Sequence, residues 1–467
     1  MSVDAAAQLT QFVRDLPEAS LKKLAATIEL DRGENRYGLP HDAIMRILRP
    51  RLAEIRAPRI FTPQRILCVP FEDMLVIKDE GYKETGHILR ASIMPMWSLL
   101  TEELIPEDWP ALAEEFAESQ KADQEDRRDA SASAIWHSAA EALGAWVAEQ
   151  EADPEVLRRA IKKLGGTRVI EDIKEMAYTL EIADTLEAAK AGLPRKPILN
   201  LSQEQVVILK RYYDQVVEQN PGRELYFMLA IMGRLLQPFP ILKLVRAITR
   251  KLDDTLASRS DLATVGNKVI RALEEDAEKV ARVAEETDST EEELMSRTRR
   301  FAAAFKGITT DIGIRRDGDW GKRMYACRTM VSEAVEHMIL SDATQVVLSV
   351  LPKSGTRATA DFSKEPDENR FERSERRARA IGEAMGIAEE IGLQSACAST
   401  VNELRKDLNN YAARIIARLP KTEDHERGNA RAHLACAVRL IELITNSDEA
   451  DLLRRRGNAA LDKKTMS

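Results

Sequence analysis

The chain of 467 residues is long enough for about three domains of ordinary size and for at least one large core. With 44% hydrophobic and 31% charged residues, its composition is neither that of a disordered chain nor that of a membrane-embedded one, and four cysteines cannot staple a disulfide scaffold. A net charge of -8 argues against bulk attraction to nucleic acid or anionic lipid, so any such contact must come from a local patch.

In chain order, the first signal is proline. Nine of the 18 prolines lie in residues 1–110, and none lies between Pro240 and Pro352. Proline interrupts helices, so the first quarter reads as short helices joined by bends, with long helices further on. The stretch APRIFTPQRILCVPFEDMLVI is rich enough in β-branched and aromatic residues to allow a small β-hairpin near 65–77. Beyond about residue 130 the apolar spacing is helical: Ile135, Ala139, Leu143 and Trp146 share one face. Ser202 and Gln205 have capping-box spacing ahead of Val206, Leu209, Tyr213 and Val216, and Asn220-Pro221-Gly222 stops that helix.

The run LYFMLAIMG at 225–233 is too short to cross a bilayer and reads as a buried helix turning at Pro238-Phe239-Pro240. Leu262, Val265, Val269, Leu273, Ala277, Val280 and Val283 form a stripe with a mean step of 3.5, which suits either a coiled-coil seam or an alanine-rich helix inside its own bundle. Ser289 and Glu292 suggest a second capping box. TQVVLSVLP, ending at Pro352, reads as a buried helix end.

These elements predict an all-α fold of multi-helix bundles with roughly three quarters of residues helical. The expected divisions are a Pro-rich N-terminal domain (1–125) ending in an acidic segment, a central long-helix domain (126–352), a linker (353–370), a C-terminal bundle (371–455) and a frayed tail (456–467). No fixed repeat period is present.

Charge is unevenly placed. Residues 101–155 hold 16 acidic against three basic side chains. Residues 46–65 hold six arginines, Arg46, Arg49, Arg51, Arg56, Arg59 and Arg65, against Glu54 alone. Residues 297–328 hold nine Lys or Arg against three Asp. Residues 361–467 instead balance at 19 of each sign, interleaved so that i,i+4 neighbours can pair. Each single-sign run repels itself unless a complementary surface relieves it.

The segment most like a site is GIRRDGDWGKR, 313–323. If Asp319 caps the following helix, Lys322 and Arg323 fall where the macrodipole already supplies positive charge, so something negative must offset them. Arg315, Arg316, Trp320, Lys322 and Arg323 are therefore the candidate anion- or partner-binding residues. The competing reading is an interhelix turn in which Asp317 and Asp319 neutralise their neighbours and Trp320 anchors the loop.

Several chemistries lack their motifs. There is no GxxxxGK[ST], no GxGxxG after a strand, no GxSxG and no HExxH. Among the six histidines, the one ExxH spacing is Glu84 with His87, interrupted by Gly86. His433 with Cys436 lacks the remaining ligands of a zinc site. No catalytic residue, metal site or cofactor is assigned.

Cys68, Cys327, Cys397 and Cys436 are scattered, and the N-terminus lacks a secretory pattern, so a cytoplasmic location is expected. The leading functional expectation is a non-enzymatic scaffold or adaptor acting through charge-complementary protein contacts or self-association. Two alternatives stand beside it: nucleic-acid association through 46–65 and 297–328, and an enzyme whose site assembles from distant residues.

Overall fold

The structure is a computed structural model that describes residues 9–14, 16–34, 41–55, 61–77, 81–121, 125–249, 262–286, 288–311, 313–351, 362–423, 425–445 and 447–462. Among these residues the fold is all-α, 81% helical, with 21 helices and one minimal two-strand sheet. The chain divides into two compact units, Met1–Cys68 with Glu107–Ile135, and Val69–Pro106 with Trp136–Ser467. Helices on both sides of the expected linker belong to the second unit; 352–361 lie outside the described residues.

In the first unit, helices Glu18–Glu34 and His41–Ile55 pack against each other on apolar faces built on spacings of three and four. Leu21, Ala25 and Ile28 of one meet Ile44, Met45 and Leu48 of the other in an apolar cluster that also takes in Val13. The unit also contains Trp109–Lys121 and the start of Glu125–Ala152. The Ser119 and Ser131 hydroxyls meet at 2.9 Å, and Arg127 forks onto Glu115 at 2.9 and 3.1 Å.

The second unit holds the long helices Ala263–Glu285, Glu291–Asp311 and Asp319–Val335, which pack on one another. Glu368–Gly386, Gln394–Arg418, Arg427–Ile444 and Ser447–Asp462 continue the bundle. All seven residues of the 3.5-step stripe are buried within this unit. The 225–233 run is helix Glu224–Met232, with Phe227 through Ile231 buried.

Ser202 and Gln205 make both bonds of their capping box. Near 289 the cap is shifted by one residue: Thr290 Oγ1 accepts from Glu293 N at 3.2 Å, while Ser289 Oγ donates to the Glu286 carbonyl at 2.6 Å. Ser289 closes the end of the preceding helix instead of opening the next. The last helix runs through Asp462, beyond the start expected for a frayed tail at 456.

No hairpin forms among the described residues of 65–77. They hold the end of helix Pro63–Cys68, a 3-10 turn Glu72–Met74 and the strand Leu75–Val76, which pairs in parallel with Ile88–Leu89. Parallel pairing needs a connection longer than a tight turn, and the loop that supplies it becomes the centre of the site described next.

Candidate functional site

The 313–323 segment joins two long helices. Gly318 occupies the cap position without a side-chain bond, and Asp319 is the first helical residue rather than the cap. Trp320 is buried, and its Nε1 donates to Asn267 Oδ1 at 2.8 Å. Its ring lies so close to the Ala263–Glu285 helix that a Cβ on Gly266 would come within 2.2 Å of it. Glycine at 266 is what admits the indole.

Arg323 forks onto Glu274 with two bonds of 2.7 Å, and also reaches Asn267 Oδ1 at 3.3 Å. Glu274 thus supplies the negative charge that a cation near a helix start requires. Arg315 bonds Asp317 at 3.0 and 3.3 Å. That bond is the main cause holding the Asp317 carboxyl below its ordinary range. Arg316 lies 5.0 Å from the Tyr325 ring centre, and Lys322 is exposed. Of the five predicted residues, Trp320 and Arg323 converge on Asn267. Arg315 and Arg316 engage neighbours within their own segment or the helix that follows it. The nearby Cys327 thiol is pushed up to about 11 by burial and is protonated at neutral pH.

The rest of the basic run is also met within the second unit. Arg297 pairs with Glu293 at 2.8 Å, Arg299 with Glu383 at 3.4 Å, Arg300 with Asp276 at 3.0 Å and Lys306 with Glu390 at 2.9 Å. Arg328 donates to the Glu389 carbonyl. In the other basic run, Arg46 and Arg49 are exposed on helix His41–Ile55, and Arg65 stands 5.3 Å from the Phe61 ring centre. Arg56 and Arg59 lie outside the described residues.

A denser assembly surrounds residues 82–92. Helix Thr167–Leu180 presents Arg168, Asp172 and Glu175 at steps of four and three, hence on one face. Asp172 is fully buried and accepts from Leu89 N at 3.0 Å, Ser92 Oγ at 2.7 Å, Lys83 Nζ at 2.6 Å and Arg168 Nε at 3.1 Å. Arg168 also donates to the Tyr82 and His87 carbonyls, both at 2.7 Å. Glu175 accepts from Gly86 N and meets Lys83, each at 2.9 Å; burial raises its carboxyl above the usual glutamate range despite Lys83. Gly86 has φ +78°, and a Cβ there would lie 2.9 Å from Leu229, so both conformation and space require glycine.

The Ala263–Glu285 helix also reaches this loop. Lys268 Nζ bonds Glu84 Oε1 at 2.6 Å, Arg271 lies 3.7 Å from Glu84 Oε2, and His87 Nδ1 meets the same Oε2 at 3.1 Å. Burial pushes the Lys268 ammonium below its usual range, a shift the carboxylates of Glu84 and Glu175 only partly offset. A cavity of about 190 Å³ opens beside these groups, with Lys268, His87, Leu229, Met232, Leu235 and Pro238 in its wall.

Asp73 also borders the cavity. Its carboxylate is held by Arg234 at 3.1 Å, Lys190 at 3.3 Å and Lys196 at 2.6 Å. Burial opposes ionisation of Asp73, yet the three cations hold its carboxyl below the ordinary aspartate range.

Sequence reasoning reached Glu84 and His87 only as an interrupted ExxH spacing, and the structure does bring those two side chains together. Lys83, Asp172, Glu175 and Lys268 were missed. The 168-172-175 spacing was visible, but its partners in the loop lie 80 or more positions away. His433 Nε2 lies 3.2 Å from the Lys364 carbonyl. Among the described residues, no group of three or more His, Cys, Asp and Glu side chains is placed to hold a metal ion, and no helix is long and apolar enough to cross a membrane. No protein-family model matches the chain, and no curated protein or solved structure is significantly similar to it.

Proposed function

We propose that this protein is a non-enzymatic cytoplasmic helical scaffold or adaptor that docks a basic protein surface on the acidic face of its first unit. One contrast supports the reading. Glu107, Asp108, Glu114, Asp126 and Asp129 are exposed and meet no cation among the described residues, whereas most cations of 297–328 already have a carboxylate or carbonyl within the chain. Exposed like charges at this density favour a complementary partner through steering and register. The four cysteines are scattered along the sequence with no CxxC, which fits a reducing compartment.

The test is affinity capture from the native cell with the full chain and with a Glu114→Lys, Asp126→Lys, Asp129→Lys variant, at low and high salt. Basic proteins retained by the parent at low salt and lost from the variant are the expected result. An identical retained set would overturn the reading. The nucleic-acid alternative is weakened by the internal pairing of 297–328; binding to duplex or single-stranded probes that falls steeply with salt would restore it.

A further inference from the structure

We propose that Lys268 captures a small, largely apolar aldehyde or ketone as an imine, with the carbonyl compound held in the cavity beside it. Three features of the geometry converge on that chemistry. The first is placement: Lys268 forms part of the cavity wall, and its side chain is only 7% exposed. An amine withdrawn from water on an apolar wall is the setting in which lysine acts as a nucleophile.

The second feature is a proton acceptor within reach. Glu84 Oε1 lies 2.6 Å from Nζ, and Glu84 Oε2 lies 3.1 Å from His87 Nδ1. His87 belongs to the same cavity wall and is 42% exposed, so carboxylate and imidazole connect the amine to solvent. The lowered ammonium range of Lys268 acts in the same direction, with Lys83 adding to the effect of burial.

The third feature is the shape and lining of the space. Leu229, Met232, Leu235 and Pro238 present apolar surface, and about 190 Å³ is several times the ~30 Å³ share of one liquid water, which fits a molecule of a few heavy atoms. Lys190 is the instructive contrast. It is equally buried, but its Nζ is taken up by the Val69 and Pro70 carbonyls at 3.2 and 2.8 Å, by Asp73 at 3.3 Å and by Glu187 at 2.8 Å.

The step balances with the groups present. The ammonium gives a proton to Glu84, and the freed lone pair forms the N–C bond while the carbonyl π pair moves to oxygen. That oxygen takes the proton to give a carbinolamine. A second proton transfer, relayed through Glu84 and His87, releases the oxygen as water as the C=N bond forms. Amine and carbonyl compound become imine and water, with no oxidant or reductant consumed.

The experiment treats the full chain with propanal at pH 7, traps any imine with cyanoborohydride and maps propylated lysines by peptide mass. Lys268 should be modified at least about fivefold more than the exposed Lys322, as an activated amine requires, while Lys190 stays unmodified. Glu84→Gln should slow modification at Lys268 and leave Lys322 unchanged. Modification of Lys268 no greater than that of Lys322 in the parent protein would overturn the proposal, whether or not the Glu84→Gln variant folds.

Discussion

The basic run 297–328 and the loop 82–92 both gather charge, and they neutralise it differently. In the run, most cations are exposed, most meet a single carboxylate each, and in pairs such as Arg297 with Glu293 both partners are more than a third exposed. In the loop, Asp172 alone accepts from two cations, a backbone amide and a hydroxyl with no exposure. The difference shows that charge density along a sequence is a poor guide to where electrostatics constrain a fold. Exposed pairs contribute about 0–1 kcal/mol because water and salt already screen them. A buried carboxylate with four donors fixes loop geometry, because removing it leaves Arg168 without a carboxylate among the described residues and Lys83 with Glu175 alone.

The largest effect separating the two regions should come from Asp172→Ala. It takes that carboxylate from Arg168, leaves Lys83 to Glu175 and opens a buried void, and the expected cost is about 3–5 kcal/mol, read as a lowered urea midpoint. An unchanged midpoint would mean that water enters freely and that the loop is no more constrained than the basic run.

Next in size is the place where the indole of the basic run packs into the core. Gly266→Ala forces a Cβ against Trp320, and overpacking should cost about 1–3 kcal/mol, more than the ~1 kcal/mol alanine returns in helix propensity. The atoms nearest that Cβ belong to the six-membered ring of the indole, and phenylalanine lacks that extension. In the Gly266→Ala background, Trp320→Phe should therefore recover part of the loss, giving a measurable coupling in a double-mutant cycle. Additive costs would show that the indole shifts freely.

The pH dependence sharpens the comparison with two carboxylates of opposite sign. Asp73 has a lowered folded pKa, so its contribution is present above the ordinary aspartate range and is lost as pH falls through the depressed value. Glu175 has a raised folded pKa, so its contribution is full below the ordinary glutamate range and is lost as pH rises through the elevated value. Unfolding midpoints between pH 3 and 7 should show Asp73→Asn flattening the acid side of the profile and Glu175→Gln flattening the side toward neutrality. The same change in slope from both variants would contradict the opposite signs.

Legibility followed the range of the interaction. The helical period, the Ser202–Gln205 box and the buried Val265–Val283 stripe could be read because each is settled within one or two turns of chain. The cap near 289 was off by one residue because Ser289 and Thr290 compete, and the choice depends on whether a hydroxyl serves the helix ending or the one beginning. The parallel strand pair and the loop 82–92 were illegible for a different reason. Lys83 with Asp172, and Lys268 with Glu84, join positions 89 and 184 apart, and no local pattern announces such meetings. In 313–323 the need for a negative offset was legible, whereas its source, Glu274 on helix Ala263–Glu285, was not.

The smallest effect belongs to the surface half of that segment. Arg315 and Asp317 are two residues apart, both well exposed, and their bond closes a turn that Gly318 N also closes by donating to the Arg315 carbonyl at 3.0 Å. The backbone bond survives substitution of either side chain, and the Arg315 carbonyl stays packed on Gly321, where a Cβ would meet it at 1.9 Å. Asp317→Ala and Lys322→Ala should accordingly leave the unfolding midpoint where it is, at low and at high salt. A salt-dependent drop in either variant would mean that the exposed charges hold the turn, and the basic run would then share the buried loop's dependence on its ions.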